Sequence, residues 1–406
     1  MINVIDLCSG IGAFATANRM VKNSPLNFLG CSEITPFCNK VLAKHGHTLL
    51  GDLYINFIPE EHNPLYQDMF ENDKVFYEEH GYSPITYMDL MEGVVDWPQM
   101  GIAGFPCQNV SSANLLDTSG IHGDKSSVID GVLDHTEFLE LDYLLLENTQ
   151  RLNSKGLCEI LTRLNDLKYH AQWETIGSTG FGYPYYRHRT FVMAYKEGTA
   201  LHNLNEQLFA HVAHDANKQP GSKFPLFDAH SPELVEFARV HETKGNYRRA
   251  RINALGNTVN LDMAFSIINS FVKLLRMADK SIPASLGFDK PSTEFKMEDL
   301  PLNPKSGFRT VPTRGHMENG RFFTDPPNRA LCPTNTAYKH LRMLPSLVAN
   351  DRKNNFTSGS RTSRPGGLGG LVGSLTKEFG LKEGGLNPDY CELYLGFEQG
   401  FTSLPN

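Results

Sequence analysis

Short apolar runs and helical periodicity alternate along the first part of the chain. An apolar run at residues 4–8 leads through a glycine turn into a segment whose apolar residues recur at helical spacing, namely Ala15, Ala17, Met20 and Val21. A second apolar run covers residues 27–32, and Thr35-Pro36 then provides an N-cap and a first-turn proline for a helix over residues 36–45. This order predicts a strand-helix-strand-helix unit of the α/β type.

The turn after the first strand contains Gly10 and Gly12, which would let the backbone approach a ligand at a helix N-terminus. The second strand ends at Glu33, about twenty residues beyond the glycines, where a carboxylate can accept hydrogen bonds from both ribose hydroxyls. The third glycine of the dinucleotide fingerprint is absent. Together these features indicate an adenosine-type ligand.

A third apolar run at residues 101–105 leads directly into Pro106-Cys107-Gln108. A thiol presented on a stiff turn after a strand suits nucleophilic attack on an electron-poor ring. A buried structural cysteine is the simpler interpretation of Cys107 taken alone. Further segments in a fixed order favour the nucleophile.

The chain resembles the DNA cytosine-5 methyltransferases. The matching blocks occur in order within residues 1–275 and read DLCSGIG, SEITPFCNKVL, GFPCQNVSS, LLLEN, YPYYRHRTF and ALGNTV. The resemblance implies an α/β, doubly wound, Rossmann-like core that binds S-adenosyl-L-methionine, with a smaller, loop-rich target-recognition domain. It also implies methyl transfer to C5 of cytosine in double-stranded DNA through a covalent Cys107 adduct on a flipped-out base.

Catalytic roles follow for residues in three of these blocks. Cys107 is expected to add to C6 of cytosine as a thiolate. Glu147 is expected to be the acid near N3, with a pKa raised by desolvation; a structural ion pair is the alternative. Arg189 is expected to hold the cytosine O2, and Arg187 to support the loop or a phosphate. Family enzymes usually have Gln where Tyr185 stands, so contacts behind the site are expected to differ.

The cofactor would be held by residues of the N-terminal blocks and of the Gly-Asn block. Asp89, after a strand-like run at residues 85–88, is the preferred partner of the adenine amino group, and Asp52 is its rival. Cys8 stands where the family often has an aromatic residue, so adenine packing is expected to differ. The full predicted set is Asp6, Cys8, Gly10, Ile11, Gly12, Glu33, Ile34, Asp89, Leu90, Gly104, Pro106, Asn257 and Thr258.

Charge is distributed unevenly along the chain. The net charge of the 406 residues is −7, yet residues 301–380 contain 12 Lys and Arg against 4 Asp and Glu. This split predicts a basic DNA-binding face on an acidic body, with a solvated loop region as the alternative. The predicted DNA contacts are Gln108, Ser111, Ser112, Arg352, Lys353, Arg361 and Arg364.

Composition changes divide the sequence into two predicted domains. Residues 1–279 are the predicted catalytic domain, which includes an acidic insertion at 54–82, a connector with short helices at 196–246 and a core-facing helix over 261–275. Residues 280–406 are the predicted target-recognition domain. Residues 386–397 resemble a block that usually precedes the Gly-Asn block, which indicates a rearranged order similar to some phage and prophage enzymes. Residues 108–126 and 354–372 are predicted to be loops that move when DNA binds.

Composition also bounds the setting. The seven cysteines have neither a disulfide framework nor metal-ligand spacing, which favours a reducing, cytoplasmic location in a bacterial or phage-infected cell, near the nucleoid, and predicts no metal. The sequence contains no apolar run of about 18 residues, so no membrane span is predicted. A monomer, and a restriction-modification setting, are expected. Three alternatives to DNA cytosine-5 methylation remain: modification of RNA, transfer of another alkyl group from a modified cofactor, and DNA binding without catalysis.

Overall fold

The computed structural model describes most of the chain. The described residues are 1–55, 81–106, 121, 128–183, 185–204, 206–217, 236–241, 247–280, 292–304, 306–326, 328, 330–331, 344–356, 370–381 and 383–405. The predicted loop at 108–126, apart from Ile121, and most of the acidic insertion lie outside these residues.

A mixed sheet of ten strands forms the centre of the described structure, in the order β3-β2-β1-β4-β5-β7-β6-β10-β11-β9. Two further short strands, β8 and β12, pair with each other. The strand bounds are β1 Ile2–Cys8, β2 Leu26–Ser32, β3 Leu49–Gly51, β4 Met100–Ala103, β5 Tyr143–Thr149, β6 His170–Gly177, β7 His188–Tyr195, β8 Arg239–Val240, β9 Thr293–Phe295, β10 Arg314–Glu318, β11 Arg321–Thr324 and β12 Gly385–Leu386.

The direction of the strands changes partway across the sheet. Strands β3, β2, β1, β4 and β5 are parallel to their neighbours, whereas β7 runs antiparallel between β5 and β6. The chain goes outward from β1 to β3 and then crosses to β4 on the other side of β1. A ligand is expected at such a switch point, at the carboxyl ends of β1 and β4.

Helices cover both faces of this sheet. Their bounds are α1 Ala13–Met20, α2 Pro36–Lys44, α3 Tyr87–Met91, α4 Val128–Phe138, α5 Leu157–Asp166, α6 Ala200–Leu204, α7 Leu208–Asn217, α8 Arg248–Asn257, α9 Leu261–Asp279, α10 Gly370–Phe379 and α11 Pro388–Tyr394. Helices α1 and α9 pack together in one apolar cluster, and α4 and α5 contribute to a second cluster. None of the helices in the described ranges is long and apolar enough to cross a membrane.

Several predicted elements are confirmed. Strands β1 and β2 and helix α2 lie within a residue or two of the predicted ranges, and α9 buries the apolar stripe predicted over residues 261–275. The predicted connector forms the short helices α6 and α7 in its described part, and Leu208 and Val212 of α7 belong to the core.

The described residues after 279 differ from the separate unit that composition predicts. Strands β9, β10 and β11 extend the central sheet, because β10 pairs with β6. Helices α10 and α11 contribute Leu371, Tyr390 and Tyr394 to the apolar cluster that contains Val4 and Phe271. The packing therefore continues across residue 279, and the described residues of 280–406 share one core with those of 1–279.

Candidate active site

A cavity of about 530 Å³ opens at the carboxyl ends of the parallel strands. It is bounded by residues that follow β1, β2, β3, β4 and β5, and by one side of α8. Its lining includes Cys8, Ser9, Gly10, Phe14, Glu33, Ile34, Asp52, Leu53, Tyr54, Gly104, Phe105, Pro106, Glu147, Asn148, Arg189, Asn253, Asn257 and Thr258. Its position is the one that the topological switch point predicts.

The two positions after β1 require glycine for different reasons. Both have positive φ, 54° at Gly10 and 78° at Gly12. A Cβ added at Gly10 would meet nothing within 4 Å, whereas one at Gly12 would lie 2.8 Å from a methyl group of Leu42. Gly10 therefore leaves the cavity wall open, and Gly12 allows α1 to pack near α2.

The Glu33 carboxylate is held at the end of β2 by main-chain donors. Its Oε2 accepts a hydrogen bond from the N–H of Gly10 at 2.8 Å, and its Oε1 accepts one from the N–H of Thr35 at 2.7 Å. Burial raises the pKa of Glu33, and these hydrogen bonds oppose that rise. Glu33 also lines the cavity, and a carboxylate is a suitable acceptor for ribose hydroxyls.

Asp89 is placed differently from the expectation. Residues 85–88 are not a strand: helix α3 begins at Tyr87, and Thr86 and Asp89 form its capping box. The Asp89 Oδ2 accepts hydrogen bonds from the N–H and hydroxyl of Thr86, at 2.7 and 2.8 Å. Its carboxylate is thus used at a helix start, whereas the rival Asp52 lines the cavity.

The other predicted cofactor residues divide into two groups. Residues at the cavity are Cys8, Gly10, Glu33, Ile34, Gly104, Pro106, Asn257 and Thr258. Those that stand away from it are Asp6, Ile11, Gly12, Asp89 and Leu90. Asp6 is buried in β1, and this burial raises its pKa to about 7.

Glu147 and Arg189 form the charged end of the cavity. The Arg189 Nε lies 2.7 Å from the Glu147 Oε1, and both side chains are about nine-tenths buried. The antiparallel pairing of β5 with β7 brings them together, since Thr149 pairs with Arg189. Burial raises the pKa of Glu147, while the adjacent Arg189 and then Arg187 lower it. The raised pKa has the direction that burial in an apolar strand predicts.

Asn148 connects the end of β5 with the segment that leads to Cys107. Its Nδ2 donates a hydrogen bond to the carbonyl of Phe105 at 3.1 Å. Phe105 and Pro106 line the cavity, and Cys107 is the next residue. Cys107 itself lies outside the described residues, as do Gln108, Ser111, Ser112, Arg361 and Arg364.

Arg187 is buried and contacts main-chain carbonyls. It donates hydrogen bonds to the carbonyl oxygens of Leu347 at 2.8 Å, Gly256 at 3.1 Å and Thr258. Its Nη1 also donates to the Ser346 hydroxyl at 3.2 Å. These contacts support the loop before β7, one of the two roles expected of Arg187, and connect it to α8 and to residues 346–347.

Sequence reasoning missed some residues at this site. Asn253 lines the cavity one helical turn before Asn257, and an i, i+4 spacing on one helix face could have indicated it. Its Oδ1 accepts a hydrogen bond from Arg352, one of the predicted DNA contacts. The neighbouring Lys353 is exposed. Tyr54, at the edge of the acidic insertion, also lines the cavity.

The block at residues 386–397 packs beside the Gly-Asn block. The buried Arg251 of α8 pairs with Glu392 of α11 at 2.8 Å and also with Asp389. The N–H of Leu261 donates to the carbonyl of Leu395 at 2.9 Å. Two blocks more than a hundred residues apart in the chain are thus neighbours in the fold.

Among the described residues, no cluster of three or more His, Cys, Asp or Glu side chains could hold a metal ion. The acidic and basic groups at the cavity instead surround a space suited to an organic ligand.

Comparison with known proteins gives one family. Residues 82–273 match the family described as C-5 cytosine-specific DNA methylase. The chain is 32% identical over 204 residues to the Type II methyltransferase M.Sau3AI of Staphylococcus aureus, covering 48% of this chain and 44% of that protein. It is 32% identical over 100 residues to the Type II methyltransferase M2.BsuMI of Bacillus subtilis strain 168, covering 23% of this chain and 25% of that protein.

Among solved structures, Spodoptera frugiperda DNMT2 aligns with 62% of this chain and 65% of its own, at 15% identity and a TM-score of 0.35. The chain spans less than half the length of the two curated relatives.

The sheet order and the cavity at its switch point define a Rossmann-like α/β fold. More specifically, residues 82–273 match the C-5 cytosine-specific DNA methylase family, and the similarity to M.Sau3AI supports the same family. This family implies S-adenosyl-L-methionine as the cofactor. The residues present fit it, because Gly10 leaves an open wall and the Glu33 carboxylate lines the same cavity.

Proposed function

We propose that this protein transfers a methyl group from S-adenosyl-L-methionine to C5 of cytosine in double-stranded DNA. One observation carries the proposal: Pro106, the residue immediately before Cys107, lines the same cavity as the Glu147–Arg189 pair. A nucleophile, an acid and a hydrogen-bond donor would then meet at one end of the cofactor cavity.

Glu33, Asp52 and Gly10 would hold the cofactor, through its ribose, its adenine amino group and its amino-acid end respectively. When bound, S-adenosyl-L-methionine supplies an electrophilic methyl group. We assign the adenine contact to Asp52, because Asp89 caps α3 instead. Asn253 and Asn257 offer further polar groups from α8.

Cys107 provides the step that cytosine cannot perform alone, because C5 is a poor nucleophile. Its thiolate forms a bond to C6, and the electron pair of the C5–C6 double bond moves toward C5. Glu147 donates a proton at N3, which neutralises the charge that develops there. Transfer of the methyl group to C5 would leave S-adenosyl-L-homocysteine. The C5 proton is then lost to solvent, the N3 proton returns to the Glu147 carboxylate, and the C5–C6 double bond re-forms as the C6–S bond breaks and the thiolate leaves.

Arg189 serves both Glu147 and the base. Its Nε is directed to the Glu147 carboxylate, and its guanidinium has further N–H donors that suit the cytosine O2. Arg187 positions this loop through its bonds to three main-chain carbonyls. The target base must leave the helical stack to reach these groups, at a cost of a few kcal/mol.

DNA recognition is assigned to the basic part of residues 280–406. Lys353 is exposed, and with Arg352, Arg361 and Arg364 it would contact phosphates, while other groups in 280–406 read bases. Since the relatives are Type II methyltransferases, we also propose a restriction-modification setting. A nuclease that cleaves unmodified sites should then fail to cut DNA from cells that express the protein.

Cys107→Ser tests the chemistry directly. DNA carrying 5-fluorocytosine should form a denaturation-resistant adduct with the wild-type protein, because fluorine cannot leave C5 as a proton does. Cys107→Ser should form no adduct and transfer no methyl group, yet bind S-adenosylhomocysteine normally. Undiminished turnover in this variant would refute the mechanism. Product mass on DNA and RNA duplexes tests the substrate and the transferred group.

Sequence specificity is tested by exchanging segments between similarly ordered enzymes. The exchange should retain β9–β11, α10 and α11, because these elements belong to the shared core. Exchanging the rest of residues 280–406 should move the methylated sequence to that of the donor. If the original sequence persists, recognition lies elsewhere, and the connector at residues 196–246 is the next segment to test.

A further inference from the structure

Tyr54 is unlike the other aromatic side chains of the cavity. Phe14 and Phe105 also line it, but they are only 5% and 2% exposed and belong to the core clusters. Tyr54 is 44% exposed, so its ring offers substantial surface. An aromatic ring presented to a ligand cavity is a ready stacking surface for a flat heterocycle.

The position of Tyr54 is fixed at both its backbone and its ring. Its N–H donates a hydrogen bond to the Asp52 Oδ1 at 3.1 Å. Its ring edge lies against Gly131 of α4, where an added Cβ would be 2.5 Å from Cε1 and 2.9 Å from Cζ. The ring and the Asp52 carboxylate therefore form one local unit at the cavity.

Two small or aliphatic side chains line the cavity with this ring. Cys8, at the end of β1, is half-buried, and Ile34, after β2, is 69% exposed. The Cys8 sulfur and the Asp52 carboxylate are near enough to contribute to the raised pKa of the Tyr54 hydroxyl, after burial itself. The aromatic surface that Cys8 and Ile34 lack is thus available from Tyr54.

We propose that Tyr54 is the stacking platform for the adenine of the cofactor, with Asp52 accepting from the adenine amino group beside it. The inference rests on the proposed function, because it takes this cavity to be the S-adenosylmethionine site. Adenine suits the pair because it combines a flat π face with an exocyclic amine. Tyr54 thereby becomes a cofactor-binding residue within a segment whose sequence indicates an acidic insertion.

Calorimetry with S-adenosylhomocysteine and with adenosine tests the role of the ring. Tyr54→Phe keeps the ring and should bind both ligands within about twofold of wild type. Tyr54→Ala should bind both about 5- to 150-fold more weakly, since base–aromatic stacking has that range of effects. Unchanged binding by Tyr54→Ala would overturn the inference. If wild type binds neither ligand, the proposed function fails instead.

Gly131→Ala tests the effect of moving the Tyr54 ring without removing it. Gly131 stands behind the Tyr54 ring, and alanine normally favours a helix interior. The variant should therefore keep its thermal stability without ligand but bind S-adenosylhomocysteine more weakly, because the ring must move. Phe138→Ala is the matched control, since Phe138 is a 39% exposed aromatic on the same helix. Equal losses in Phe138→Ala and Tyr54→Ala would also overturn the inference.

Fluorescence gives a readout that a merely structural role would not change. The indole in Tyr54→Trp should be quenched when S-adenosylhomocysteine binds, beyond any change in the wild-type protein with its two tryptophans. No additional quenching under saturating ligand would place the adenine away from this ring.

Discussion

The Tyr185 hydroxyl donates a hydrogen bond to the main-chain carbonyl of Tyr394, at 2.7 Å and across 209 residues of chain. The two rings stack with centroids 4.3 Å apart, and Asn260 donates to the same Tyr185 oxygen at 2.9 Å. Tyr185 lies just before Arg187 and Arg189. This contact therefore holds the loop at residues 185–189 against α11. Tyr185 makes it from the position where the family usually has Gln.

Tyr185→Phe should lower the free energy of unfolding by about 1–3 kcal/mol, because the Tyr394 carbonyl loses a buried donor and Asn260 loses an acceptor. Urea denaturation measures this change. Tyr186→Phe is the control, since that ring is 42% exposed, and its effect should stay within about 0.5 kcal/mol. Equal effects of the two substitutions would show that the contact adds nothing to stability.

Arg251→Met should destabilise the protein by about 3–5 kcal/mol, because it leaves Glu392 buried without its cation. Replacing Glu392 as well, in Arg251→Met/Glu392→Met, should recover part of the loss. Arg321→Met provides the comparison, since the Arg321–Glu294 pair is exposed and should contribute little. The midpoint of chemical denaturation distinguishes these cases, and a harmless Arg251→Met would contradict the prediction.

Asp6→Asn should change how stability depends on pH. Burial raises the pKa of Asp6 from 3.8 to about 7, so the folded chain keeps this proton where the unfolded chain has lost it. The resulting contribution is complete below about pH 4 and is lost as the pH rises through about 7. The free energy of unfolding of Asp6→Asn, relative to that of wild type, should therefore increase as the pH rises over this range, by at most about 4 kcal/mol.

The exposed Asp166, at the end of α5, provides the control for that measurement as Asp166→Asn. Its curve of stability against pH should run parallel to that of wild type. A constant difference between Asp6→Asn and wild type would mean that Asp6 does not hold its proton in the folded chain.

Glu147→Gln should reduce single-turnover methyl transfer by about 10²- to 10⁴-fold, the usual contribution of a general acid. Because burial raises the pKa of Glu147, its proton is retained to a higher pH than that of an exposed glutamate. The wild-type rate should fall as the pH rises through this raised pKa, and Glu147→Gln should lack that decline. A persistent decline in the variant would assign the titration to another group.

Lys353→Ala and Arg352→Ala should differ although they are neighbours. Lys353 is exposed, so its loss should lower the slope of log K for DNA against log salt by about 0.9 and leave cofactor affinity intact. Arg352 also donates to Asn253, which lines the cavity, so Arg352→Ala should weaken S-adenosylhomocysteine binding as well. If both variants bind S-adenosylhomocysteine equally well, Arg352 does not affect the cavity through Asn253.

Local patterns in the sequence predicted the nucleotide-binding half of the fold. The strand ends that carry Gly10, Glu33 and Glu147 are marked by apolar runs and turn residues, which depend on neighbours in the chain. The same reasoning was wrong at residues 85–88. There Thr86 and Asp89 form a capping box, and the Thr-x-x-Asp spacing was the available signal.

Contacts between distant segments were beyond such patterns. Strands β9 and β11 are only three and four residues long and carry exposed charged residues, so the loop-rich texture of residues 280–406 concealed their place in the sheet. Gly256 shows the same limit. An added Cβ would lie 2.2 Å from the Ala349 nitrogen, a close approach between segments almost a hundred residues apart that nothing in the Gly-Asn block itself reveals.

The late position of α11 in the chain has a consequence for synthesis on the ribosome. Arg251 precedes its partner Asp389 by 138 residues, and Tyr185 precedes Tyr394 by 209. At about 5–20 residues per second, the second interval lasts about 10–40 s. Once Arg189 has been added, the growing chain contains every side chain assigned to catalysis, but residues 185–189 still lack the helix that holds them. The charged end of the cavity, with Glu147 and Arg189, can therefore be completed only after residues 388–394 have been translated.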